Sequence, residues 1–154
     1  MNKLKTLNEL TKVIPKLKRK GKKIAFTNGC FDILHPGHVK TFNQAKKKAD
    51  ILIVGLNSDS SVKKIKGPRR PVLNQKARAE VLSAFSLIDY IVIFKEETPF
   101  KVIRAIKPHF LIKGGDWAHD EIVGREFAKK VIRVNLKRGF STSKIINKIL
   151  KSHS

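Results

Sequence analysis

Residues 50–56, Asp-Ile-Leu-Ile-Val-Gly-Leu, form a continuous apolar run. A strand with that pattern has no face to offer water and suits burial on both sides, as in a parallel sheet layered by helices. The rest of the chain supplies neighbours and cover. Residues 23–27, 89–94, 109–113 and 130–134 read as further short strands. Leu4, Leu7, Leu10, Ile14 and Leu17 recur at helical spacing across residues 4–20, with a break expected near Pro15. Residues 37–49 are helical in character, and Asn57-Ser58-Asp59 offers a cap to a helix with Val62 and Ile65 inward. Two prolines and a glycine make residues 66–74 a loop. Residues 75–87 predict a helix with Ala77, Val81, Leu82 and Phe85 inward, and Thr98-Pro99 opens another that runs to about Ile106. Residues 121–129 also look helical, and a last helix after Gly139 carries Ile145, Ile146, Ile149 and Leu150. This alternation predicts an α/β protein with a Rossmann-like, doubly wound, mostly parallel sheet. No repeat or low-complexity linker divides it, so residues 1–22 are expected as a helix packed on a single domain, 23–154.

Ligands of such sheets collect beyond the strand C-termini, at the topological switch point. The turns at 28–38, 57–59, 114–117 and 139–143 all follow strands and are expected to converge there. The first is the richest. After Thr27 come Asn28-Gly29-Cys30-Phe31-Asp32-Ile33-Leu34-His35-Pro36-Gly37-His38, then a helical segment. Pro36 suits a first helical turn, because its missing N–H would be unpaired there anyway. His35 and His38 then share one face of a helix N-terminus, where free N–H groups and the helix dipole favour an anion. Both imidazoles can point at one phosphate.

Charge is the one abnormal bulk property. Thirty-four Lys and Arg against 12 Asp and Glu give a net charge of +22, which points to anionic partners. The charge is spread over nearly every segment, and aromatics do not interleave with it as a base-stacking surface requires. Phosphorylated small substrates therefore fit better than a specific nucleic acid, with non-specific nucleic-acid binding expected only at low salt. A basic nucleic-acid-binding protein that has kept a nucleotide-binding fold is the alternative from another class. Cys30 is the only cysteine, which excludes an internal disulfide framework and fits a reducing compartment. No signal peptide and no membrane-length apolar run are visible, so a cytoplasmic location without membrane insertion is expected.

His-x-Gly-His after a first strand resembles the signature of the HxGH nucleotidyltransferases, and its longer context resembles their cytidylyltransferase-like branch. Residues 54–72, the stretch Lys113-Gly114-Gly115-Asp116-Trp117 with Ile122-Val123-Gly124, and Gly139-Phe140-Ser141-Thr142-Ser143 extend the likeness. Together they resemble the D-glycero-β-D-manno-heptose 1-phosphate adenylyltransferases, the ADP-heptose synthases. The resemblance implies an HxGH nucleotidyltransferase fold, with AMP transferred from ATP to a heptose 1-phosphate and pyrophosphate released for surface glycan or lipopolysaccharide synthesis. In many bacteria that activity is fused behind a sugar kinase; here it is expected to stand alone. Glycerol-3-phosphate cytidylyltransferase and FMN adenylyltransferase are the alternatives that keep fold and mechanism.

The same resemblance assigns roles. His35, His38, Lys66 and Arg78 would be catalytic. Asn28, Gly29, Cys30, Phe31, Gly37, His38, Lys113, Gly114, Asp116, Ser141, Thr142 and Ser143 would bind nucleotide and phosphate, with Cys30 a small residue beside the site rather than a nucleophile. Asn57, Asp59, Arg69, Arg70 and Trp117 would face the acceptor, and Asp32 would brace the turn. Loop 66–74, if flexible, could close over the substrate. Mg2+ is implied with ATP, held by phosphates and water without a protein cage. A homodimer is implied by resemblance alone.

Overall fold

The apolar run is the second of five strands and lies between two others. The computed structural model describes residues 2–115, 121–135 and 139–154. Its strands are β1 (Ile24–Gly29), β2 (Ile51–Asn57), β3 (Tyr90–Phe94), β4 (Phe110–Gly114) and β5 (Lys130–Val134), in the order β3-β2-β1-β4-β5. Every pairing is parallel, with Ile24 beside Ile51, Ile53 beside Tyr90, Ala25 beside Phe110 and Phe110 beside Lys130. The order reverses at β1, which puts the switch point between β1 and β4.

Helices α1 (Leu7–Arg19), α2 (Pro36–Lys48), α3 (Asp59–Lys66), α4 (Gln75–Ser83), α5 (Phe100–Ile106) and α6 (Thr142–His153) complete the order. The two-residue period of the strands sorts the core into two layers. Ala25, Leu52, Val54, Ile91 and Ile112 meet Phe42 and Ala45 of α2 and Ala79 and Leu82 of α4. Ile24, Phe26, Ile53, Val92 and Leu111 meet Leu10 and Ile14 of α1 and Val102, Ile103 and Ile106 of α5. The glycine inside the apolar run has a packing reason. A Cβ on Gly55 would stand 2.6 Å from Cζ of Phe26, so only glycine lets that ring lie against β2.

Several local expectations change. Leu4 is not helical: Lys5 N–H bonds Ile91 O (2.8 Å) and Ile91 N–H bonds Lys3 O (2.9 Å), so residues 3–5 cover the outer edge of β3. The helix starts after Thr6, which forms a capping box with Glu9, and it runs through Pro15 with Leu10 and Ile14 anchored in the core. In α4 the inward face is Arg78, Ala79 and Leu82, while Val81 is 45% exposed. A buried guanidinium has taken the place that hydrophobic spacing assigned to valine. The expected helix at 121–129 reduces to a 3-10 turn, Arg125–Phe127, after the left-handed Gly124. Thr98 does not cap α5: Pro99 is the cap residue and makes no side-chain cap bond. Helix α6 forms, but none of its residues is buried.

Candidate active site

A cavity of about 510 Å3 opens at the C-terminal ends of β1, β2 and β4. That is the place where an open α/β sheet binds ligands, and the volume lies within the range of small-molecule sites. All four predicted turns meet here through described residues at their strand ends or helix starts. Asn28 to Asp32 with His35 and His38, then Asn57, then Ser141 to Ser143 all line it, as do Gly114 of the 114–117 turn and Lys113 just before it.

The histidine pair is held by backbone bonds. His35 is the N-cap of α2 and its Nδ1 accepts from Gly37 N–H (3.1 Å), while Nδ1 of His38 accepts from His35 N–H (3.2 Å). The first turn of α2 is thereby closed on itself. Pro36 has no N–H, Gly37 N–H is taken by His35, and His38 N–H bonds His35 O (3.0 Å). The expectation of free backbone N–H groups at this helix start is corrected: the imidazoles stand in for them. A ring that accepts at Nδ1 carries its proton, when neutral, on Nε2. Each histidine is thus left as an Nε2–H donor, with the two ring centroids 3.9 Å apart.

Burial keeps the pair neutral. His38 is pushed down to about 4, first by burial and then by repulsion from His35. His35 is lowered by burial. Behind them stands Phe31, a non-glycine residue at φ 45°, whose ring meets His38 edge-on at 5.2 Å and Phe42 at 5.6 Å. A left-handed conformation at a bulky residue is costly and marks a turn overdetermined by its surroundings. Here it tucks the ring under the histidine. A Cβ on Gly29 would meet that ring at 3.2 Å.

Lys113 is the cation of the opposite wall. Its Nζ donates to Asn28 Oδ1 at 2.5 Å, and burial lowers it to about 8. Near neutrality it stays charged, in a place where the charge is poorly solvated. At the start of α6, Ser141 caps the helix by accepting from Lys144 N–H (3.1 Å), and Thr142 Oγ1 donates to Ile33 O (3.0 Å). The second bond ties the last helix to the turn that carries the histidines. Ser141, Thr142 and Ser143 at this helix start all line the cavity.

Arg78 needs correction. It is 1% exposed and does not line the cavity. Its Nε donates to Leu73 O (2.9 Å), its Nη1 to Cys30 O (2.6 Å) and Asn57 O (2.8 Å), and its Nη2 to Asp59 Oδ1 (2.8 Å). The guanidinium lies behind the lining, where it joins the ends of β1 and β2 to Asp59, which is also outside the lining. Gly37 is buried under the histidines and Arg69 is exposed outside the lining. Lys66, Arg70, Asn57 and Cys30 do line the cavity, with burial raising the Cys30 thiol. Asp116 and Trp117 lie outside the described residues. Glu97, Thr98 and Pro99 also line the cavity and received no site role from the sequence. They follow β3, so the rule about strand ends that located the other turns would have found them.

These features define an α/β domain of the nucleotidyltransferase kind. Residues 26–148 match the family model described as Cytidylyltransferase-like, and the chain belongs to that family. It is 48% identical over 145 residues to Bifunctional protein HldE of Helicobacter pylori (strain J99), a match covering 94% of this chain and 31% of the relative. It is 51% identical over 146 residues to Bifunctional protein HldE of Aliarcobacter butzleri (strain RM4018), covering 95% and 31%. The chain therefore spans about a third of the length of these curated relatives. Among solved structures, the lipopolysaccharide core biosynthesis protein from Thermoplasma volcanium GSS1 shares the fold at a TM-score of 0.62, with 24% identity, over 76% of this chain and 98% of that one. Pantoate-beta-alanine ligase from Francisella tularensis shares it at 0.67, with 14% identity, over 96% and 78%.

Proposed function

We propose that this chain transfers AMP from ATP to D-glycero-β-D-manno-heptose 1-phosphate, giving ADP-heptose and pyrophosphate. The observation that carries the transfer chemistry is one cavity holding two Nε2–H imidazoles, a buried lysine and the start of α6. Support for the sugar comes from the motif likeness and from about half-identity to the HldE proteins across nearly the whole chain.

In this reading an oxygen of the sugar phosphate attacks the α-phosphorus of ATP, and the bond to the pyrophosphate oxygen breaks. Negative charge moves onto the non-bridging oxygens and the leaving group. Nε2–H of His35 and His38 donate to those oxygens from a site already organised for them, and Lys113 supplies positive charge at low solvent exposure. The start of α6 takes the departing phosphates. No protein nucleophile is needed, because the acceptor phosphate is one. Magnesium would arrive with the triphosphate and offset its charge. Among the described residues no group of three or more His, Cys, Asp or Glu is placed to hold a metal ion. Residues 23–154 would act as one catalytic domain with 1–22 packed on it. No helix among the described residues is long and apolar enough to cross a membrane.

The deciding experiment is pyrophosphate release with magnesium, testing ATP and CTP against heptose 1-phosphate and glycerol 3-phosphate, and ATP against FMN. Release with ATP and the heptose phosphate alone supports the reading. Release with another pair moves the substrate, and no release from folded protein with any pair overturns it.

A further inference from the structure

Loop 67–74 does not behave as a free basic flap. Asp32, 2% exposed, accepts from Arg70 Nε (2.8 Å) and Val72 N–H (2.8 Å) at Oδ2 and from Leu73 N–H (2.9 Å) at Oδ1. Leu73 is gripped at its other end as well, since its carbonyl accepts from Arg78 Nε. The loop is thus tied to the histidine-bearing turn through Asp32 and to the β1 and β2 ends through Arg78. The expectation of a flexible closing loop gives way to a fixed wall.

The clamp leaves a specific group exposed. Arg70 is held through Nε alone: no other described residue bonds its two Nη groups, its side chain is 14% exposed, and it lines the cavity next to Lys66. A guanidinium anchored at Nε presents its Nη edge as a fixed pair of donors, a good match for a phosphate. The transfer brings two anionic groups together, and the cavity has two basic flanks. Lys113 stands at the end of β4, while Lys66 ends α3 and Arg70 lies in the loop that follows it; the start of α6 is tied to the β1–α2 turn at Ile33. Once the triphosphate lies along the first flank, the second remains for the other anion.

The geometry points to Arg70 as the residue that binds the acceptor's phosphate, with Asp32 as the positioning residue that aims it by fixing Nε and the loop behind it. This rests on the proposed transfer reaction. It assigns the acceptor side of the cavity and separates Arg70 from its neighbour Arg69, which lies outside the lining.

The test uses Arg70→Gln, Asp32→Asn and their combination in the whole chain. The acceptor is whichever phosphorylated compound supports pyrophosphate release, so a wrong sugar leaves this test standing. Each single variant is expected to raise the acceptor KM about ten- to a hundredfold, the loss of one charged hydrogen bond, with kcat and the ATP KM little changed. The double variant should be no worse than the more damaging single one, because Asp32 acts through Arg70. Arg70→Lys should recover part of the affinity. Additive losses, or losses in ATP KM or kcat at an unchanged acceptor KM, would overturn the assignment. If no acceptor turns over, the transfer reading and the Arg70 contact fail together. Amide hydrogen exchange then isolates the clamp: Val72 and Leu73 should exchange faster in Asp32→Asn, and unchanged protection would refute it.

Discussion

Lys113→Met separates what this site does for function from what it does to stability. The lysine falls from 10.5 to about 8 because burial disfavours its charged form. At about 1.4 kcal/mol per pH unit, that drop means the folded protein at pH 7 carries a burden of about 3 kcal/mol for holding the ammonium. Methionine fills a similar volume without charge, and Asn28 lines a cavity open to water. The sharper readout is the pH dependence. Between about pH 8 and 10.5 the folded lysine has lost its proton while the unfolded chain keeps it, so wild-type stability rises with pH across that window. Relative to the variant, wild type should gain about 3 kcal/mol over those pH values, approaching about 1.4 kcal/mol per unit at mid-window. Urea unfolding of both proteins from pH 7 to 10.5 measures this directly, since every other lysine titrates alike in the two. Adenylyl transfer by the variant should fall sharply at every pH. Parallel stability curves would refute the reasoning, because they would mean that Lys113 keeps an ordinary proton affinity.

Other expectations can be checked on the same protein. His38→Ala should cost about 10²–10³ in kcat, the loss typical of one transition-state donor, and lower the urea midpoint somewhat because His35 N–H loses its acceptor. The kcat/KM profile should show a basic limb near pH 8 from Lys113, and no acid limb from His38 until pH approaches 4, because the neutral ring is the donor. Lys113→Arg should move the basic limb upward; a steep fall in rate between pH 7 and 6 in wild type would contradict the neutral imidazoles. Arg78→Met should destabilise by about 3–5 kcal/mol in urea unfolding, because three carbonyls and Asp59 lose their shared donor. A variant of wild-type stability with only a raised ATP KM would return Arg78 to the nucleotide. At low salt the +22 charge should give DNA binding that weakens steeply as salt is added and shows no sequence preference.

Arg78 shows why part of the site escapes sequence reading. Its helix was legible, yet hydrophobic spacing turned Val81 inward, since no local pattern reports that a guanidinium will find four acceptors on three separate segments. Those acceptors come together only when β1, β2 and the 67–74 loop are packed. Glu97 to Pro99 escaped for a related reason: no motif marks this carboxylate and hydroxyl, and only their place beyond β3 brings them to the cavity.

The sequence by itself determined the parallel sheet and the location of the site. An apolar run without alternation must be covered on both faces, strands alternating with helices can be wound in few ways, and His35-Pro36-Gly37-His38 after the first strand places two imidazoles at a helix start. Tertiary structure alone decided their chemical state and their surroundings. Nδ1 of each histidine is closed by a backbone N–H that lies within reach only in the folded turn, and burial then holds the rings neutral. Likewise Asp32, Arg70 and Arg78 are ordinary surface residue types until folding removes their water, after which each must bond a protein group. Partners up to 48 positions apart in the chain become the ones that count.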